Sequence, residues 1–186
     1  MTMVNKSEHM VMNMKQEVRV SMGKRIVLFV LILGVLTTMP SGVIAAGMDM
    51  KTIAEKEVTM VDHDGKEYLE YFLTEMVEVV PGNIIRFTNV YRNLGREAAE
   101  PGLTINNPVP KEVAYIGGTA TGKNAKITFS VDGGKSFGLP SELFVTGEDG
   151  KKRPARPDEY TDIKWVILKA VLPGEEGSVA YKGKLK

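Results

Sequence analysis

Asp62-His63-Asp64-Gly65 is the first place where this chain could do chemistry. Two carboxylates flanking an imidazole could hold a cation, or set a general base beside the acid that orients it. A calcium loop needs about six to eight oxygen ligands, and no ligand set of the helix-loop-helix type follows here. Asp-Gly supplies the backbone of a hairpin turn, and this segment is read as one. After His9, His63 is the only histidine, and no nucleophile is visible as its partner. No triad is built on it. Asp149-Gly150 is read as a turn in the same way. Asp158-Glu159-Tyr160-Thr161-Asp162 is the densest polar cluster and is expected to form a loop with an Asx-type turn. Lys151-Lys152-Arg153 with Arg156 is the one basic cluster; Pro154 and Pro157 interrupt it, so it reads as a solvated loop. Glycosidase chemistry needs two carboxylates held across a cleft, and sequence alone singles out no pair. The chain has no cysteine, which excludes disulfides, thiol catalysis, thiolate metal sites and a lipobox anchor. Met48, Met50, Met60 and Met76 are too sparse for a copper-handling run. No catalytic residue, cofactor or metal ligand is assigned.

Ser130-Val-Asp132-Gly-Gly134-Lys-Ser-Phe137 follows the pattern Ser-x-Asp-x-Gly-x-x-aromatic. It resembles the Asp-box of sialidases and other secreted β proteins. In those proteins the motif is a hairpin brace, and the resemblance implies that Asp132 accepts turn N–H groups while Phe137 packs beneath.

The elements that must carry these residues are strands. Turn pairs punctuate the chain at Asp64-Gly65, Pro81-Gly82, Gly117-Gly118, Asp132-Gly133, Asp149-Gly150 and Pro173-Gly174. Such pairs provide the fixed or positive φ of tight turns. Val58 to Val61 and Glu67 to Val80 are candidate strands around Asp64-Gly65, although Tyr68, Tyr71, Phe72 and Glu75 also recur at helical spacing. From Ile84 to Arg92, Ile85, Phe87, Asn89 and Tyr91 share one face, the signature of a half-buried antiparallel strand. Asn89 on that face should be hydrogen-bonded inside. Ala125 to Val131, the face of Ile163, Trp165 and Ile167, and Ser178 to Leu185 repeat the pattern. The expected fold is an all-β antiparallel β-sandwich with Phe87, Tyr91 and Trp165 in its core.

Val80-Pro81-Gly82-Asn83 leads into the first clear strand, and Asn93-Leu94-Gly95 ends it. Leu103-Thr-Ile-Asn-Asn-Pro-Val-Pro110, Tyr115-Ile-Gly-Gly-Thr-Ala120, Trp165 and Leu172-Pro173-Gly174 follow. This series resembles the bacterial conserved repeat domain, the domain-of-unknown-function eleven family of exported and cell-surface proteins, over about Glu78 to Leu185. The resemblance implies an immunoglobulin-like scaffold. Pro81, Gly82, Asn93, Gly95, Pro173 and Gly174 then serve as turn residues, with Asn93 bonding nearby backbone and Gly95 taking positive φ. Asn107-Pro-Val-Pro110 departs from the family's Asp-x-Leu-Pro, and one copy of the pattern is present. The last strand offers Lys182, Lys184 and Lys186 but no asparagine for a Lys–Asn crosslink.

Lys24-Arg25, the apolar run Ile26 to Leu36, the breaker at Pro40 to Gly42 and the small residues Ala45 and Ala46 make a secretory signal peptide. The apolar run is about half the length of a spanning helix. Cleavage is expected after Ala45 or Ala46. Met22 is the expected start, with Met14 the alternative, and residues 1–21 are a mis-annotated or disordered leader. Residues 47–77 then form N-terminal strands that pack on a sandwich domain of residues 78–186. Without residues 1–46 the chain keeps 19 Lys/Arg against 21 Asp/Glu, a net charge of −2. That balance argues against nucleic acid as a partner. The expected protein is exported, periplasmic or extracellular, and meets the membrane only through its signal peptide. Its role is structural or interactive, with an envelope or extracellular protein as partner. A glycan-binding module is the alternative, using Phe137, Tyr115 and Tyr160 where exposed.

Overall fold

A computed structural model describes residues 47–186. These residues are all-β, without an α-helix, and their sheets are antiparallel, an arrangement consistent with a β-sandwich. The strands are β1 (Met48–Val61), β2 (Glu67–Leu73), β3 (Ile84–Asn93), β4 (Thr104–Pro108), β5 (Val113–Tyr115), β6 (Thr121–Gly122), β7 (Ala125–Ser130), β8 (Phe144–Thr146), β9 (Lys152–Pro154), β10 (Asp162–Ile167) and β11 (Glu176–Leu185). The larger sheet has the order β2-β1-β3-β11-β5, with β6 also on β11. The smaller sheet runs β4-β10-β7, and β8 and β9 form a separate hairpin.

β1 is longer than the sequence suggests. Met48–Lys56 pairs with β3 and Glu55–Val61 with β2, so one strand serves two partners in succession. The expected boundary between residues 77 and 78 therefore falls within one hydrogen-bonded sheet. β2 is extended where helical spacing was the competing reading, and it stops at Leu73 rather than Val80 because Thr74 to Val77 turn away.

The core lies between the two sheets. Tyr91, Val179, Tyr181 and Tyr115 come from the larger sheet; Ile105, Phe129, Ile163, Trp165 and Ile167 come from the smaller. Leu143 and Ala155 close one side from the 3₁₀ turn and hairpin region. Trp165 is fully buried and donates its indole N–H to the Thr121 carbonyl at 3.1 Å. At about 25 cal/mol per Å², an indole of this kind contributes roughly 4–6 kcal/mol of transfer free energy. Aromatic rings connect the layers: Tyr115 lies 5.4 Å from Phe129, and Trp165 lies 6.3 Å from Tyr181, which itself stacks on Phe87 within the larger sheet. Gly177 is needed where β11 passes Tyr91, because a Cβ there would overlap the phenol ring. Asn89 is buried as expected, but only half satisfied. Its Oδ1 accepts from the Thr52 hydroxyl at 2.8 Å, and its Nδ2 has no partner.

Candidate functional site

The polar motifs converge on the outer side of the smaller sheet. Ile163, Trp165 and Ile167 of β10 fill the core, so strand alternation turns Asp162, Lys164 and Val166 the other way. Register sets Lys164 between Asn106 of β4 and Thr128 of β7, and Asp162 beside Ser130. The loop after β7 folds back through paired bonds between Phe129 and Gly138. It brings the Phe137 ring within 3.8 Å of the Lys164 Nζ, a cation–π contact.

Asp132 organises that loop. Its carboxylate accepts from the hydroxyls of Ser130 and Ser136 and from the backbone N–H groups of Lys135 and Ser136. The Ser136 hydroxyl and N–H, followed by the Ser130 hydroxyl, hold the Asp132 carboxyl well below the usual carboxylate range. Ser130 is fully buried and accepts in turn from the N–H of Gly134 at 2.9 Å. Gly134 sits at φ +77°, and a Cβ there would lie 3.1 Å from Asp162 Oδ1. Both the turn and the packing thus require glycine. Asp162 is 5% exposed, and burial, with a contribution from the Asp132 charge, pushes its carboxyl up. On either side of Lys164, Asn106 Oδ1 and Thr128 Oγ1 are buried without partners.

The two Pro-Gly turns are built alike. Gly82 and Gly174 have positive φ, and Asn83 and Glu175 donate N–H to Val80 and Leu172 carbonyls at 3.1 and 2.9 Å. The same two side chains accept back from the N–H of Val80 and Leu172. Asn93 binds the second turn to the end of β3. Its Nδ2 donates to the carbonyls of Glu97 and Val171, and its Oδ1 accepts from Gly95 N–H, each at 2.8 Å. Its backbone also exchanges bonds with Gly174 and Glu175. Gly95, expected at positive φ, is not among the residues that adopt it, because the Asn93 side chain closes the bend as an Asx turn.

The basic and acidic clusters, read as separate loops, meet each other. Arg153 grips Glu159 with two parallel bonds of 2.7 and 2.6 Å, and Arg156 N–H adds a third at 2.8 Å. Arg153 chiefly, then the Arg156 N–H, lowers the Glu159 carboxyl to about 2. Asp62 caps its hairpin by accepting from the N–H of Asp64 and Lys66, each at 2.9 Å, while His63 is exposed and touches only Asp64. Among the described residues no three acidic or histidine side chains cluster as a metal site would require.

Sequence reasoning missed a second network, on the outer face of the larger sheet. Glu55 receives two bonds from Arg86, at 3.0 and 2.7 Å. Glu57 accepts from the Tyr71 hydroxyl and pairs with Lys182. The Arg86 guanidinium lies 3.4 Å over the Tyr71 ring. Lys182, weighed as a crosslinking residue, is instead ion-paired, and the Glu57 carboxylate raises its pKa. Tyr115 and Tyr160, offered as sugar-stacking surface, are 3% and 5% exposed, so neither presents a face; Phe137 is half-buried and engaged by Lys164. The signal peptide, Ala45, Ala46 and Met22 lie outside the described residues. No family model matches the chain, and no curated protein or solved structure matches it either.

Proposed function

We propose that this chain is an exported, non-catalytic domain of immunoglobulin-like sandwich form, with a structural or interaction role in the cell envelope or extracellular space. One observation carries the reading. The side chains of its sequence motifs are spent on the protein's own backbone and on one another. Asp132 takes four donors from its own turn, Asn93 ties three backbone groups together, and Glu159 is held by two arginines. Groups bound in this way stiffen turns; they are not poised to attack or to exchange protons with a substrate. Export rests on the Lys24 to Gly47 sequence, and the scaffold role on the spaced Pro-Gly, Asn-x-Gly and Trp motifs of the conserved repeat domain.

The test is fractionation of cells expressing the tagged full chain, with mass spectrometry of the exported form. The expected mature N-terminus is Ala46 or Gly47, and deletion should produce a surface or secretion phenotype. A cytoplasmic, uncleaved chain would overturn the export reading. Substrate turnover by the purified chain, lost on mutation of Asp132 or Asp162 with the fold retained, would overturn the non-catalytic one.

A further inference from the structure

The hairpin of β1 and β2 leaves a strand edge open. Among the described residues β2 pairs only with β1. The hairpin fixes which backbone groups are free. Asp62 N–H donates to Lys66 and Thr74 N–H to Ala54, so the bonded pairs fall on the even positions of β2. Glu67, Leu69, Tyr71 and Leu73 therefore direct their N–H and C=O groups away from β1. The segment from Val61 to Val80, with β2 at its centre, carries apolar side chains that the core does not use. Val61, Tyr68, Leu69, Leu73, Met76 and Val80 are all exposed, half of the large apolar residues exposed in the described chain. An open, partly apolar edge is a template for another strand.

Charge identifies the strand that fits. From Asp62 to Val80 the chain carries six carboxylates and one lysine, a formal charge of −5. Glu67, Glu70, Glu75 and Glu78 make none of the ion pairs formed among the described residues. A second copy of this edge would oppose acid to acid. Antiparallel pairing over the whole of β2 would place Glu70 directly against its own counterpart, which is destabilising. A cationic strand meets no such penalty. Building on the interaction role proposed above, we infer that the β2 edge binds an extended segment of another protein, with Lys or Arg alternating with apolar residues, as an added strand. The outward amides supply affinity, and Glu67 and Glu70, on opposite faces of the strand, supply selectivity through their summed negative field rather than as a row of ion pairs.

The experiment uses the full chain and a fluorescent ten-residue peptide that alternates lysine with valine. Binding is followed by anisotropy and by amide shifts in NMR spectra. The expected result is saturable binding that shifts the amides of Glu67, Leu69, Tyr71 and Leu73, and at least tenfold weaker binding of the same peptide N-methylated at every residue. Leu69→Pro removes one outward N–H and no bond to β1, and should weaken binding at least tenfold. Because proline could disturb the arm, Glu67→Lys/Glu70→Lys is the second variant; it should lose the lysine peptide and gain one that alternates glutamate with valine. Equal binding of the methylated peptide, or indifference to both variants, would reduce the contact to bulk electrostatics and overturn the proposal. Concentration-dependent dimers abolished by Leu69→Pro would overturn it in favour of self-pairing. Partner capture from the fractionated cells that both variants retain would leave the interaction role standing while removing β2 as its site.

Discussion

Tyr181 offers a substitution whose sign can be worked out from the structure. Its side chain is 1% exposed, stacks on Phe87 and lies 6.3 Å from Trp165, yet its hydroxyl has no hydrogen-bond partner. A buried polar group left unpartnered costs about 1–3 kcal/mol. Tyr181→Phe removes that cost and keeps the ring. The vacated space is on the order of 10 Å³, which at about 24 cal/mol per Å³ returns only about 0.2 kcal/mol. The variant should therefore be more stable by about 1 kcal/mol or more, a rise in Tm of about 3–5 °C for a domain of this size. Tyr115→Phe is the control. Tyr115 is equally buried, but its hydroxyl accepts from Ala120 N–H at 3.1 Å, so the same chemical change orphans a donor and should cost about 1 kcal/mol. Burial also pushes the Tyr181 phenol up. That contribution to stability is full below the unfolded value near pH 10 and is lost as pH rises through the folded one. Tyr181→Phe should remove this part of the alkaline decline. Urea titrations at pH 7 and pH 11 measure both effects. Loss of stability in Tyr181→Phe at pH 7 would refute the reasoning, since it would mean that the hydroxyl contributes a bond.

Three further substitutions test the turns and the polar row. Asn93→Ala should cost about 3 kcal/mol by removing three buried or half-buried bonds, and hydrogen exchange at Gly95 should speed up. Asp132→Ala should lower Tm at neutral pH. The depressed Asp132 carboxyl contributes stability that is present above its unfolded pKa near 4 and lost as pH falls through the folded value, so the variant's Tm should decline less between pH 5 and pH 2. Asp162→Asn should act in the opposite sense. The raised Asp162 carboxyl is at its most favourable below pH 4 and loses that advantage as pH rises through its folded value, so the amide should raise Tm at pH 7 and give no gain at pH 3. Thermal scans of both variants across pH 2–8 decide between these signs.

What was legible in the sequence was local. Ile84 to Arg92 alternates because one face is core and the other is wet, and the positive-φ glycines at positions 65, 82 and 174 mark turns whose closing bonds are local, between residues three apart. The Asp132 brace was legible for the same reason, as its bonds span at most four residues. The first half of β1 was not. Its inward positions include Thr52 and Lys56, opposite Asn89 and Ile85, and such residues write no apolar period. Glu57 with Lys182, and Asn93 with Val171, depend on strand order and register, which periodicity does not encode. Gly95 shows the limit from the other side: a residue type suited to positive φ was not asked to adopt it, because an asparagine side chain had already closed the turn.

Net charge averages over an uneven distribution. Residues 47–186 sum to −2, but Asp62 to Val80 alone holds −5, which leaves the rest with 18 Lys/Arg against 15 Asp/Glu. The acid is gathered on the segment that includes the open strand edge. Solvated charge is a recognised guard against edge-to-edge aggregation, and Glu67 and Glu70 fill that role whatever else they do. The guard is asymmetric, however. It repels the protein's own edge and other acidic strands, while it lowers the barrier for a cationic one. An edge guarded by lysine, or interrupted by proline or a bulge, would not make that distinction in the same direction. The exposed apolar positions between the acids, Tyr68 and Leu69, give an incoming strand something to cover once charge has selected it. Protection from self-association and choice of partner thus rest on the same few side chains: reversing Glu67 and Glu70 to lysine should switch the partner while keeping self-repulsion, and neutralising both to glutamine should weaken both together.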